Sequence, residues 1–328
     1  SQWSHARGAA PFGSSFFPQP SESLCVSPPL VPPSSSGRVI RLRTASDPFR
    51  ESIVKEGYRI QKKPVLFLIF NRPDLTFQSF ETIRAARPDQ LFISGDGPRP
   101  GKAEDPEKVA LTRTVVEKID WDCKVRTRFL EQNLGCARAV SSGIDWAFES
   151  VEDLIILEDD CLPSPSFFPF CAELLDRFQT DQRVFVISGD NFQHHAPRTP
   201  YSYFFSRYNL CWGWATWKRA WKHFDLEMSL WPEFRDGDWL VDLLQEPLAN
   251  TYWRDIFDQV HAGKIDTWDY QWTFACWIQS GLTILPSENL VQNIGFGEDA
   301  THTTDELGCG PPARNLAFPL SHPPFVLR

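Results

Sequence analysis

The chain has 328 residues, 42% of them hydrophobic, which is enough for one large domain, or two intimate ones, with a full core. Its formal net charge of −9 argues against a nucleic-acid partner, because such binding rests on basic patches that release counterions from phosphate. No apolar run reaches the roughly 18 residues that a membrane-spanning helix needs, so no bilayer span is expected.

Residues 1–37 hold 7 Pro and 10 Ser with little apolar periodicity, too little to offset the entropy of ordering them. Residues 1–60 are therefore expected to be a disordered tail, an organellar transit segment or the stem of a membrane-tethered enzyme. The only Met is Met228, so residues before Ser1 are expected and the compartment stays open. A lack of Asn-x-Ser/Thr sequons leans toward the cytoplasm, while a Golgi lumen or organelle remains compatible with the Pro/Ser-rich start. The eight cysteines form no CxxC pair and no zinc spacing, which favours reduced thiols over a disulfide framework.

From Pro64 the pattern changes. "PVLFLIF" (64–70) reads as a buried strand, and "NRPDLTFQSFETIRAA" as the helix after it. "QLFISGDG" (90–97) gives a second strand, a helix is expected near 105–119, and "KVRTRFLEQN" (124–133) gives a third strand. "LGCARAVSSGIDWAFES" is helical in pattern, "DLIILEDD" is a fourth strand, and "RVFVISGDN" (183–191) a fifth. Strands alternating with helices predict an α/β fold with a mostly parallel sheet covered on both faces. The aromatic-rich segments 201–225 and 266–302 are expected to form a second lobe against the sheet edge. One catalytic domain over 61–305 and a loose tail over 306–328 complete the predicted organisation.

In parallel sheets, ligands gather at the carboxyl ends of the strands. Four predicted strands end in polar residues: Asn71-Arg72, Asp96, Asn133 and the triplet Glu158-Asp159-Asp160. Three adjacent carboxylates behind a buried strand need positive charge nearby. Acids beside an arginine point to a diphosphate held with Mg²⁺ or Mn²⁺, which prefer oxygen ligands and commonly engage one or two carboxylates plus phosphate. A solvated turn or a helix cap is the plainer account of such a triplet, and Pro163 and Pro165 just after it count against the cap.

"LIILEDDCLPSPSFFPF" resembles the acidic-triplet signature of GT-A fold nucleotide-sugar glycosyltransferases, above all the N-acetylglucosaminyltransferase I type. From about Pro64 to His302 the chain is also similar to bacterial hemolytic-protein-like sugar transferases. The resemblance implies a GT-A, Rossmann-like fold and roles at matching positions. Arg72 would face the donor diphosphate and Asp96 its uracil or ribose. Asp160 would ligate the metal, with Glu158 and Asp159 meeting the ribose or a metal-bound water. Each has a plainer reading, a Gly-Asp-Gly turn for Asp96 and a surface turn for Arg72.

Sugar transfer to a hydroxyl needs a general base. "IDTWDYQWTFACW" (265–277) offers Asp266 and Asp269 at a helix start, and the resemblance selects Asp269, after Trp268, as a base for inverting transfer. A first-turn acid favouring the helix dipole is the structural alternative. In "NIGFGEDATHT" (293–303) the resemblance makes His302 a candidate second metal ligand. Trp214, Trp217 and Trp221 fit one helix face and read as core, whereas Trp212 and Trp214, flanking Gly213, are the candidate pair to line a donor or acceptor cleft.

These residues predict a metal-dependent glycosyltransferase taking a nucleotide-diphospho-sugar, with UDP-N-acetylglucosamine the first donor to test, and a glycan or other hydroxyl acceptor. A nucleotidyltransferase would share the sheet but carry a Gly-rich phosphate loop with Lys after the first strand, which "FNRPDLTF" lacks. A non-catalytic sugar-binding or membrane-active protein is the reading from another class.

Overall fold

A computed structural model describes residues 62–193, 199–295 and 310–326. All of them fall within one of the chain's two units, Ser46–Gly295 together with Cys309–Arg328. The chain enters at β1 (Val65–Ile69), whose five residues are all buried. It turns into helix α1 (Pro73–Ala86), then β2 (Gln90–Gly95), α2 (Asp105–Arg113) with a 3₁₀ turn at Thr114–Lys118, β3 (Lys124–Phe129) and α3 (Gly135–Phe148). After β4 (Asp153–Glu158) come β5 (Cys161–Pro163), α4 (Phe167–Arg177) and β6 (Val184–Ser188).

The aromatic-rich remainder supplies β7 (Tyr203–Ser206), β8 (Trp214–Trp217), short helices α5 (Lys218–Trp221), α6 (Trp231–Asp236) and α7 (Trp239–Leu244), then α8 (Pro247–His261) and α9 (Asp269–Ile278). Strands β9 (Leu282–Pro286) and β10 (Val291–Asn293) follow. No helix among the described residues is long and apolar enough to cross a membrane.

Eight strands form one sheet in the order β3-β2-β1-β4-β8-β6-β9-β7. The first four are parallel, and β6 is parallel to β9, while β8 and β7 run against their neighbours. The fold is thus a mixed α/β, Rossmann-like arrangement with a mostly parallel sheet. Side-chain alternation divides two cores. Val65, Phe67 and Ile69 of β1, with Ile155 and Leu157 of β4, meet α1 and α4 on one face. Leu66 and Leu68, with Leu154 and Ile156, meet α3 and a cluster of tryptophans on the other. Fully burying each such side chain contributes roughly 1.5–3 kcal/mol. Edge strand β3 is mostly exposed and carries Lys124, Arg126 and Arg128, the charged pattern that discourages pairing at an edge.

Two expectations change. The segment 201–225 is not a lobe beside the sheet, since β7 and β8 belong to the sheet, and β8 lies between β4 and β6. The residues Trp214 to Trp217 are therefore a strand, with both faces covered and all four residues buried. Residues 310–326, expected to be loose, contain no helix or strand but dock firmly. Leu316 and Leu320 enter the first core, the Leu316 amide donates to Ser166 Oγ at 3.0 Å, and the Arg314 amide donates to the Asn289 carbonyl at 2.7 Å. The tail expected over 1–60 lies outside the described residues.

Candidate functional site

Parallel register brings the predicted residues to one sheet edge. Leu68 pairs with Glu158 and Ile69 with Gly95, so the chain leaving β1 emerges between the ends of β2 and β4. Pro73 opens α1 with a fixed φ and no amide to satisfy, which turns the chain immediately after Arg72. The Arg72 guanidinium then faces the acidic triplet. Its Nη2 contacts Asp159 Oδ1 and donates to Asp160 Oδ2 at 3.0 Å. The second oxygen of Asp159 accepts the Phe70 amide at 3.3 Å, and its carbonyl accepts Ser79 Oγ at 3.0 Å.

Glu158, Asp159, Asp160 and Asp269 all act electrostatically on this corner, and the Arg72 guanidinium opposes them. Burial, then Asp160 and Asp159, push Glu158 up to about 8 despite Arg72, with Asp269 adding to the rise. Burial raises Asp159 as well, and Arg72 opposes it. Burial works against the charge of Arg72, but Asp159 and Asp160 outweigh it and hold the guanidinium charged. Burial and the carboxylates of Glu158, Asp266, Asp269 and Asp160 likewise raise the Cys136 thiol, which keeps it from acting as a thiolate.

The two-stranded ribbon of β5 and β10 carries the chain back to the triplet. Asn293 pairs with Cys161, the Ile294 amide donates to the Asp160 carbonyl at 2.8 Å, and Gly295 lies against Asp160 and Arg72. An added Cβ at Gly295 would fall 2.9 Å from Arg72 Nη1, so glycine is what allows this approach. The predicted ligand His302, further along this segment, lies outside the described residues.

Asp96 follows β2 and is largely taken up by its own chain. Its Oδ1 accepts the amides of Gly97 at 2.8 Å and Leu134 at 2.9 Å, and its Oδ2 accepts Asn133 Nδ2 at 2.7 Å. Burial raises its pKa, with the amides of Leu134, Gly97 and Gly135 opposing. The Gly-Asp-Gly turn is thus a built structural element, its carboxylate largely occupied by its own chain.

Asp269 is the first residue of α9, and its Oδ1 contacts the Thr267 hydroxyl. Asp266, the other candidate, is used differently. Its carboxylate accepts the amides of Cys136 at 2.9 Å and Ala137 at 3.0 Å, at the start of α3. Trp214, expected to line a cleft, is 1% exposed because β8 is covered on both faces, and it stacks on Trp268 with centroids 5.3 Å apart. Trp212 is half-buried, 4.8 Å from the Phe192 ring.

Sequence reasoning missed a buried tie beside the site. Asp105 accepts Asn71 Nδ2 at 2.8 Å and a forked pair from Arg99, at 2.7 and 2.8 Å, which fastens the loop after β2 to the end of β1. Only the Asn71-Arg72 dipeptide signalled polar chemistry there.

Among the described residues, no three His, Cys, Asp or Glu side chains gather into a metal cage. The donor set is instead hard carboxylate oxygen, with the Asp160 side chain more exposed than that of Asp159. It fits a cation that takes its remaining ligands from phosphate and water.

No family model and no curated protein matches this chain. Among solved structures, HddC from Yersinia pseudotuberculosis is similar at 9% identity with a TM-score of 0.26, over 38% of this chain and 56% of that one. The chain thus spans just over half the length of that structure, and a likeness this slight bears on no functional argument.

Proposed function

We propose that this chain is a metal-dependent, inverting glycosyltransferase of the GT-A type, moving a sugar from a nucleotide-diphospho-sugar to a hydroxyl acceptor. The carrying observation is the sheet-edge constellation in which Arg72 faces Asp159 and Asp160 while Asp269 approaches the same corner from α9. This corner holds more negative than positive charge, which a divalent cation bound with a diphosphate would balance. Asp160 and the mobile oxygens of the substrate would hold Mn²⁺ or Mg²⁺. Bound there, the ion would supply Lewis-acid stabilisation of the departing diphosphate.

The chain's own residues account for the rest. Arg72 is a charged fork that can leave Asp160 for the diphosphate without giving up Asp159. In this reading Glu158 and Asp159 would meet the ribose or a metal-bound water, and Asp96 would face the nucleoside. Asp269 would accept the acceptor hydroxyl's proton as the oxygen attacks the sugar carbon opposite the diphosphate. The indoles of Trp214 and Trp268 are buried and stacked on one another, so in this reading they serve as core and not as a sugar platform. UDP is the first nucleotide and N-acetylglucosamine the first sugar to test.

Calorimetric titration of UDP with Mn²⁺, with EDTA, and on Asp160→Ala tests the reading. Micromolar binding that needs both the metal and Asp160 supports it. No binding of UDP by the folded protein in any condition sinks the UDP-sugar assignment.

A further inference from the structure

Helix α3 begins without a cap of its own. Leu134 stands at the N-cap and has no polar side chain, yet the first amides of a helix need acceptors. Two carboxylates from distant parts of the chain supply them. Asp96, at the end of β2, takes the Leu134 amide at 2.9 Å, and Asp266, ahead of α9, takes those of Cys136 and Ala137. Gly135 between them has a φ of +80°, and an added Cβ would lie 2.6 Å from Asp266 Oδ2. The turn at 134–137 is therefore shaped to receive this carboxylate.

The segment that delivers Asp266 is short and held at each residue. Thr267 is buried, its hydroxyl contacts Asp269 and its carbonyl accepts Gln271 Nε2 at 2.6 Å. Trp268 is buried on Trp214, and its carbonyl accepts the Trp272 amide at 3.1 Å. Asp269 comes next. Among the polar contacts of the described residues, the Asp266 carboxylate is what ties this segment to the start of α3, beside the packing of Trp268 in the core that α3 also enters.

We propose that Asp266 is a positioning residue: by clamping the start of α3 it sets where the Asp269 carboxylate stands relative to the acidic triplet. This rests on the glycosyltransferase reading for its catalytic consequence and on geometry alone for the clamp. A base misplaced by about 1 Å can cost on the order of 10²-fold in rate while the diphosphate site stays intact. Asp96 and Asp266 thereby join the strand ends to the base through one helix turn.

The test compares wild type with Asp266→Ala, Asp266→Asn and Gly135→Ala. UDP–Mn²⁺ affinity, UDP release from a UDP-sugar, and amide hydrogen exchange at Cys136, Ala137 and Trp272 are measured for each. Asp266→Ala is expected to speed exchange at all three amides and to lower kcat about tenfold to a hundredfold, with the donor KM and UDP affinity within about twofold of wild type. Asp266→Asn keeps one acceptor oxygen and should recover part of the rate, and Gly135→Ala should repeat the loss from the other side of the contact. Faster exchange confined to Cys136 and Ala137, or an unchanged kcat in an active enzyme, overturns the proposal. If wild type releases no UDP, the transferase reading has failed on its own account, and exchange at Trp272 decides the clamp: accelerated, it stands; unchanged, it falls.

Discussion

Arg72 and Asp159 form a pair in which neither partner stands comfortably alone. The Asp159 side chain is 4% exposed and the Arg72 side chain 20%, so each is largely withdrawn from water and compensated by the other. Breaking a buried pair by removing one member costs about 3–5 kcal/mol, because the remaining charge is left unpaired. Arg72→Ala should therefore both destabilise the fold by an amount of that order and abolish UDP–Mn²⁺ binding. Adding Asp159→Asn in the Arg72→Ala background should restore much of the stability and none of the binding. Chemical denaturation and calorimetry on the two variants separate these effects, and a single variant of wild-type stability would show that the pair is not structural.

Asp269 makes a narrower claim. Its carboxylate contacts Thr267 within its own segment and acts electrostatically on Glu158. If it is the general base, Asp269→Asn should lower transfer by about 10²–10⁴-fold with UDP affinity intact, since proton transfer is worth that much and donor binding does not use it. A kcat within about threefold of wild type would assign the base elsewhere.

The parts of this fold legible in the sequence are those whose pattern is local. β1 and β4 are continuous apolar runs that could only be covered on both faces, and the polar residues after them had to share an edge once the strands were parallel. β8 was not legible, because Trp214, Trp217 and Trp221 match helical spacing. In the strand, an offset of three sends Trp214 into one core and Trp217 into the other, and both cores are aromatic, so hydrophobicity does not distinguish the two readings. The role of Asp266 was hidden for a different reason. Its partners lie about 130 residues earlier, and no local spacing records a bond of that span.

Gly295 offers a test of how close the returning segment must come. It lies against Asp160 and Arg72 after the β5–β10 ribbon, away from either core. A methyl group there would push the Arg72 guanidinium or the Asp160 carboxylate aside. Gly295→Ala should weaken UDP–Mn²⁺ binding by roughly tenfold, about 1.4 kcal/mol, while leaving the melting temperature close to wild type. Equal losses in binding and stability would mean that the segment supports the fold and not the site.

Two buried carboxyls should give opposite pH dependences. Hydrogen bonding and charge from Arg99, with the Arg99 amide and Asn71, hold Asp105 well below its ordinary 3.8 despite burial. Its folded pKa is depressed, so its contribution is fully present above 3.8 and lost as the pH falls toward the folded value. Asp190 is fully buried, one oxygen accepting the Trp212 amide at 2.9 Å and the other without a partner among the described residues, and burial raises its pKa well above 3.8. The folded protein therefore keeps its proton while the unfolded chain releases it, and stability falls as the pH rises above 3.8, by up to about 1.4 kcal/mol per pH unit. Melting curves from about pH 3 to pH 7 should show Asp105→Asn losing most against wild type near neutrality and converging with it in acid. Asp190→Asn, which needs no proton to stay neutral, should gain on wild type steadily as the pH rises. Parallel curves for Asp190→Asn and wild type across that range would mean that Asp190 is ionised in the fold, with its charge met by a partner.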